Sequence, residues 1–247
     1  MARMTKTRTA TSRSKSNASA RGVPPAPPTE DEIYERLLEA VFEHRLPPGT
    51  KLGEDRLATI FGVSRARIRQ VLPRLAHEGV VTLAPNRGAF VARPTVEEAR
   101  DVFEARRIVE PGIVERLMRS PERRQALARL RQHVAAERRA RLEDDRRAVV
   151  RLSGEFHTLL ADMAGNAVLA KAMRELAMRT CLVIALYDKP TVPSCLGEEH
   201  ADIVEALAQG EGARATRLML DHLRHVERNL DLSVVEAEPV DLEAALA

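Results

Sequence analysis

The stretch from Glu54 to Gly79 leaves this chain little choice of fold. Two apolar-periodic segments, Leu57–Phe61 and Ile68–Leu75, flank Gly62-Val63-Ser64. A glycine there lets the first helix end in a left-handed conformation, and a serine caps the second. Ile68, Val71, Leu72 and Leu75 fall at the i, i+3, i+4, i+7 positions of a buried stripe, which directs Arg65, Arg67, Arg69 and Arg74 outward. The pattern is a helix-turn-helix whose second helix carries its arginines near the start, where a recognition helix meets base edges. Pro73 lies inside that helix, cannot donate to the carbonyl of Arg69, and predicts a kink below the reading residues.

The flanks extend the motif into a domain over residues 29–93. Thr29 or Asp31 can cap a first helix reaching about His44, with Ile33, Leu37 and Val41 on one face, and Leu46-Pro-Pro-Gly49 ends it. Thr50 to Leu52 reads as a short strand. Val80–Ala84 and Ala89–Ala92 read as a hairpin turning at Pro85-Asn86-Arg87-Gly88. Three helices and a hairpin make a winged helix-turn-helix, with Arg87 at the wing tip placed to reach backbone or minor groove.

From Thr95 the chain changes character. Aromatic residues make up 3% of the sequence and Trp is absent, so cores must come from Leu, Val, Ile and Ala, which suits packed helices. Breaks at Ser120-Pro121, Asp144-Asp145, Gly165-Asn166, 189–197 and Gly210–Gly212 predict about six helices over 95–118, 121–143, 145–164, 166–187, 196–209 and 212–230. The fold class is therefore mainly α: a winged helix-turn-helix followed by an all-helical domain over 95–231. Residues 1–28 are basic, without an acid before Glu30, and read as a disordered solvated tail; 232–247 reads as a frayed acidic tail.

Charge and cysteine content narrow the class further. The 39 basic residues nearly balance 36 acidic ones, so affinity for nucleic acid has to come from local clustering. The Arg-dense 121–143 segment carries interspersed Glu and an apolar stripe of Leu127, Leu130 and Val134, and reads as a solvated amphipathic helix ahead of a second nucleic-acid surface. Cys181 and Cys195 read as reduced thiols of a cytoplasmic protein. No apolar run of about 18 residues and no secretory-signal core are present, so no membrane partner is expected.

With those residues in place, the order Leu-x-Glu-x-x-Leu-Ala-x-x-Phe-Gly-Val-Ser-Arg-x-x-Ile-Arg at 52–69, followed by Leu-x-x-Glu-Gly-Val-Val at 75–81, resembles bacterial GntR-family transcription regulators. The helical remainder is similar to the C-terminal effector domain of the FadR branch (FCD type), through Arg106-x-x-Val-Glu110, Glu155-Phe-His157, Ala164-Gly-Asn166, Glu199-His200 and Asp221-His-Leu223. The resemblance implies a homodimeric regulator, by expectation a repressor, that binds double-stranded DNA at a palindromic operator under control of a small carboxylate effector. On this reading Arg65 and Arg69 stand at the major-groove positions. Arg87 and Gly88 stand in the wing, and Arg56, Ser64 and Arg67 complete the expected DNA contacts. Arg106 matches an arginine of the effector pocket, where a fixed guanidinium suits a carboxylate, although Asp101, Glu104 or Glu110 on the same helix offers it a partner.

His157, His200 and His222 lie on three predicted helices, and imidazoles converging from facing helices can hold a divalent ion. All three match the histidines of metal-binding family members, which implies Zn²⁺, Ni²⁺ or a similar ion. Those members carry Asp one turn before the first histidine; here the position is Ser153, which supplies no anionic charge. Water and an effector carboxylate would complete the shell, or the imidazoles would bind an anion without metal. His225 is a spare candidate. Two alternatives use the same histidines: a metal-dependent enzyme, disfavoured because no general base or nucleophile is placed by motif, and a sensor of the ion itself.

Overall fold

The computed structural model describes residues 26–188, 198–232 and 241–246, except for the side chains of residues 146 and 147. Most of the basic N-terminal segment, residues 189–197 with Cys195, and residues 233–240 lie outside the described residues. The N-terminal unit runs α1 (Glu30–Phe42), β1 (Lys51–Leu52), α2 (Glu54–Phe61), α3 (Arg65–His77), β2 (Val81–Ala84) and β3 (Gly88–Val91). Thr29, and not Asp31, caps α1: its hydroxyl accepts from the Glu32 amide at 3.2 Å while Glu32 reaches back to the Thr29 amide at 2.6 Å. Gly62 ends α2 at φ +65°, and Ser64 caps α3 through the Arg67 amide. Helix α3 continues past Pro73 to His77; the proline ring is exposed, so only one backbone bond is forfeited. The antiparallel sheet has the order β1-β3-β2, with Val81 opposite Val91 and Ala84 opposite Gly88.

The helical domain is α4 (Val96–Met118), α5 (Arg123–Leu142), α6 (Arg146–Met163), α7 (Ala167–Tyr187), α8 (Glu199–Gln209) and α9 (Gly212–Arg228). These are the six expected helices. Their core contains Ile113, Leu117, Leu130, Phe156, Leu160, Met173, Ile203 and Met219, all fully buried. Among the described residues no helix is long and apolar enough to cross a membrane.

Two features join the domains. Met178 and Leu182 of α7 belong to the same apolar cluster as Ile33, Leu37, Ile68 and Leu75 of the winged unit. The end of the chain supplies the second. Within the stretch expected to fray, Leu242–Leu246 forms a short helix, α10, whose Leu242, Ala245 and Leu246 are buried in that cluster. The correction has a simple cause: these residues have the i, i+3, i+4 spacing of an apolar stripe, and burying two leucines contributes about 1.5–3 kcal/mol each.

Candidate functional site

The arginines expected at DNA differ in what holds them. Arg65 and Arg69 have side chains 62% and 64% exposed, and each is paired with an acid at the start of α2: Arg65 with Asp55 at 2.5 Å, Arg69 with Glu54 at 2.6 Å. Exposed pairs of this kind contribute about 0–1 kcal/mol, so they orient the guanidinium groups yet exchange readily for base or phosphate. Arg87 and Gly88 are exposed on the wing, where Gly88 has φ +95°. Ser64 and Arg67 instead hold the local structure: Ser64 caps α3, and Arg67 donates to the Pro28 carbonyl at 3.0 Å. Arg56 pairs with Asp241 at 2.5 Å. Arg74 is drawn toward α1, its guanidinium carbon 4.0 Å from the Tyr34 ring centre and its nitrogen 2.5 Å from Asp31.

In the helical domain α6, α8 and α9 bring His157, His200 and His222 together, each 3–4% exposed. One ring nitrogen of each lies within 4.8 Å of the others. Every Nδ1 is occupied by a carboxylate: His157 by Glu110 at 2.7 Å, His200 by Glu137 at 3.0 Å, His222 by Glu199 at 2.7 Å. Glu199 also accepts from His225 at 2.6 Å, and Phe156 stacks on His200 with ring centres 4.0 Å apart.

Protonation follows from burial. It pushes His157 down to about 3 against the pull of Glu110, and His222 down to about 4 against Glu199. Burial alone would raise Glu110, yet the Arg106 guanidinium holds it down at about 2; burial would raise Glu137 likewise, but hydrogen bonds from His133 and His200 bring it to about 2. His157 and His222, held neutral and donating through Nδ1 to ionised carboxylates, present bare lone pairs at Nε2. The Nε2 atoms of His200 and His222 face each other at 3.3 Å. A nitrogen pair at that distance suits a shared proton or a cation, and carboxylate-backed imidazoles are the usual setting of metal-ligating histidine. The donor set therefore fits a divalent ion taking nitrogen ligands.

Arg106 lies beside this cluster, 3% exposed. Its Nε donates to Glu110 at 2.6 Å and one terminal nitrogen donates to Thr180 at 3.2 Å, while Nη2 is buried without a partner among the described residues. Of its three possible helical partners Glu110 is the one used, and the guanidinium still has a donor to offer. Ser153, four residues before His157 on α6, is buried as well. Sequence reasoning missed Glu137, whose helix was read as solvated. The signal was present: Leu127, Leu130, Val134 and residue 137 fall on one stripe, so an acid sits at an apolar position.

Comparison with known proteins covers both units. Residues 29–91 match the model for bacterial regulatory proteins of the gntR family, and residues 101–225 match the FCD domain. The HTH-type transcriptional regulator LutR of Bacillus subtilis is 30% identical over 74% of this chain and 92% of its own. The HTH-type transcriptional repressor RspR of Escherichia coli is 26% identical over 83% of this chain and 90% of its own. Among solved structures, a GntR-type protein from Rhodococcus sp. RHA1 superposes with a TM-score of 0.71 at 24% identity, covering 81% of this chain and 95% of its own. E. coli McbR/YncC reaches 0.67 at 16% identity, over 79% and 93%.

Proposed function

Because the chain belongs to the gntR family of bacterial regulatory proteins and carries an FCD domain, we propose that it is a cytoplasmic, homodimeric repressor that leaves a palindromic operator when a small carboxylate enters its helical domain. It is a transcriptional regulator and not an enzyme, as its relatives are. In this reading Arg65 and Arg69 contact bases, Arg87 and Gly88 contact backbone or minor groove, and Ser64 and Arg67 fix the start of α3. Arg56 contributes a phosphate contact.

The observation that carries the effector reading is the unpartnered Arg106 Nη2 beside three imidazoles backed by Glu110, Glu137 and Glu199. His157, His200 and His222 would hold a divalent ion such as Zn²⁺ or Ni²⁺, which supplies positive charge and open positions for a carboxylate. Arg106 supplies a second anchor and Ser153 a neutral polar neighbour. The missing Asp ligand makes ion binding weaker than in family members that have it, and raises the share of binding carried by the effector.

The test is metal analysis of tag-free protein, followed by thermal-shift measurements with small carboxylic acids, with and without Zn²⁺ or Ni²⁺. Near-stoichiometric metal, or recovery of it on addition, with a carboxylate-dependent rise in melting temperature that Arg106→Ala abolishes, is the expected result. Less than about a tenth of an equivalent, with no uptake on addition, counts against the metal. No response to any acid counts against the effector.

A further inference from the structure

The chain leaves the helical domain at a fixed point. Asp231 donates its amide to the Tyr187 carbonyl at 2.7 Å, and Leu230 bridges to Asp188. It re-enters the described structure at Asp241, on the winged unit. There α10 inserts Leu242, Ala245 and Leu246 between α1 and α2, and three arginines of the winged unit close on its oxygen atoms. Arg56 holds the Asp241 carboxylate at 2.5 Å, Arg36 donates to the Leu246 carbonyl at 2.6 Å, and Arg45 donates to the Ala245 carbonyl. The last two are the carbonyls left without partners at a helix C-terminus, where cations are favoured.

This arrangement joins apolar seating to an electrostatic mask. Arg56 lies on the first helix of the helix-turn-helix, half exposed, and its partner is supplied from residue 241 rather than from its own domain, unlike Arg65 and Arg69. An acid placed on a DNA-facing arginine competes with phosphate for it. A covalent tether keeps that competitor at high effective concentration.

We infer that residues 241–246 are an intramolecular strap that seats on the winged unit and competes with DNA phosphate for Arg56. Its release takes their oxygen partners from Arg56 and Arg36, while Arg45 keeps its bond to Glu43 at 2.7 Å. The inference rests on the DNA-binding reading of the winged unit. It adds a second control, acting on affinity for DNA of any sequence and carried by residues beyond the FCD match.

The test uses the full chain and an arbitrary-sequence DNA duplex, because phosphate competition needs no operator. Asp241→Asn keeps the side-chain shape and removes the charge; it should tighten binding about 3- to 10-fold at low salt and steepen the log–log salt dependence by about one unit, the increment of one phosphate contact. In an Arg56→Gln background the same change should do nothing. Equal affinity and slope for Asp241→Asn and the parent, or an equal gain without Arg56, overturns the strap. Hydrogen exchange in the absence of DNA reads seating alone, and so separates failure of the strap from failure of the DNA-binding reading. Leu246→Asp should speed exchange in α10 and α2 while leaving α4 to α9 unchanged; exchange in α2 equal to that of the parent overturns the seating.

Discussion

At the scale of single residues the same side chain type serves opposite ends according to what faces it. Arg69 is exposed and, among the described residues, held only by Glu54, so it is available for bidentate contact with guanine. Arg69→Ala is expected to weaken specific binding by about 1–3 kcal/mol and relax preference at one base position; an unchanged affinity and sequence preference in a binding-site selection would rule the role out. Buried histidine gives a second residue-scale prediction. His44, at φ +57°, packs at the end of α1, and burial pushes it down to about 4 against the pull of the Cys181 backbone. Between the ordinary value of about 6.5 and 4 the unfolded chain takes a proton that the folded one refuses, so stability falls as pH falls through that window. Asn tolerates the left-handed backbone and does not titrate. His44→Asn should remove about 2 kcal/mol of the stability lost between pH 7 and pH 5, measured by denaturant unfolding at both values. His157 and His222 add losses of the same sign, so the remaining pH dependence does not vanish; an identical loss in the variant and the parent would exclude His44 as a contributor.

Elements were legible in the sequence to the degree that their own residues dictated them. Helix α3 announced itself through Ser64 and the stripe from Ile68 to Leu75, and the wing through Asn86 and Gly88 at its turn. Contacts across elements were not written in any one segment. The pairing of Arg65 with Asp55 and Arg69 with Glu54 depends on how α2 crosses α3, and α10 is too short to be stable without the cluster it enters. Helix α5 is intermediate: Glu137 lay on the apolar stripe, but only the packing of α8 against it shows why an acid belongs there. Pro73 permits a test at this scale. It is exposed in the interior of α3, and the Arg69 carbonyl lacks its helical donor. Pro73→Ala restores that bond and should stabilise the protein by about 1–3 kcal/mol in chemical denaturation. A loss of stability would mean that the proline's fixed backbone angle is worth more to this helix than the missing bond.

Across the whole molecule, one turn of α7 touches both Arg106, beside the histidine cluster, and the winged unit. Thr180 accepts from Arg106 on one side. On the other, Met178 and Leu182 lie in the winged-unit core, the Cys181 thiol donates to the Phe42 carbonyl at 3.5 Å, and Arg179 packs where Gly79 ends α3. At Gly79, φ +76°, an added Cβ would come within 3.2 Å of the guanidinium end of the exposed Arg179, which places this turn of α7 beside the end of α3. A ligand that draws Arg106 toward the histidines changes its bond to Thr180, and close packing passes a displacement of that turn to α1 and α3. Thr180→Val keeps the volume and deletes the hydroxyl. With Zn²⁺ and whichever carboxylate most raises the melting temperature, the parent should lose about 5- to 150-fold in operator affinity, the range of a coupling of about 1–3 kcal/mol. Thr180→Val should bind the same ligands, seen as a melting shift within about 2 °C of the parent's, while its DNA affinity changes less than about twofold on adding them. A full response in the variant would show that the signal reaches α3 by a route that does not pass through this contact, leaving the shared apolar core of Met178 and Leu182 to carry it.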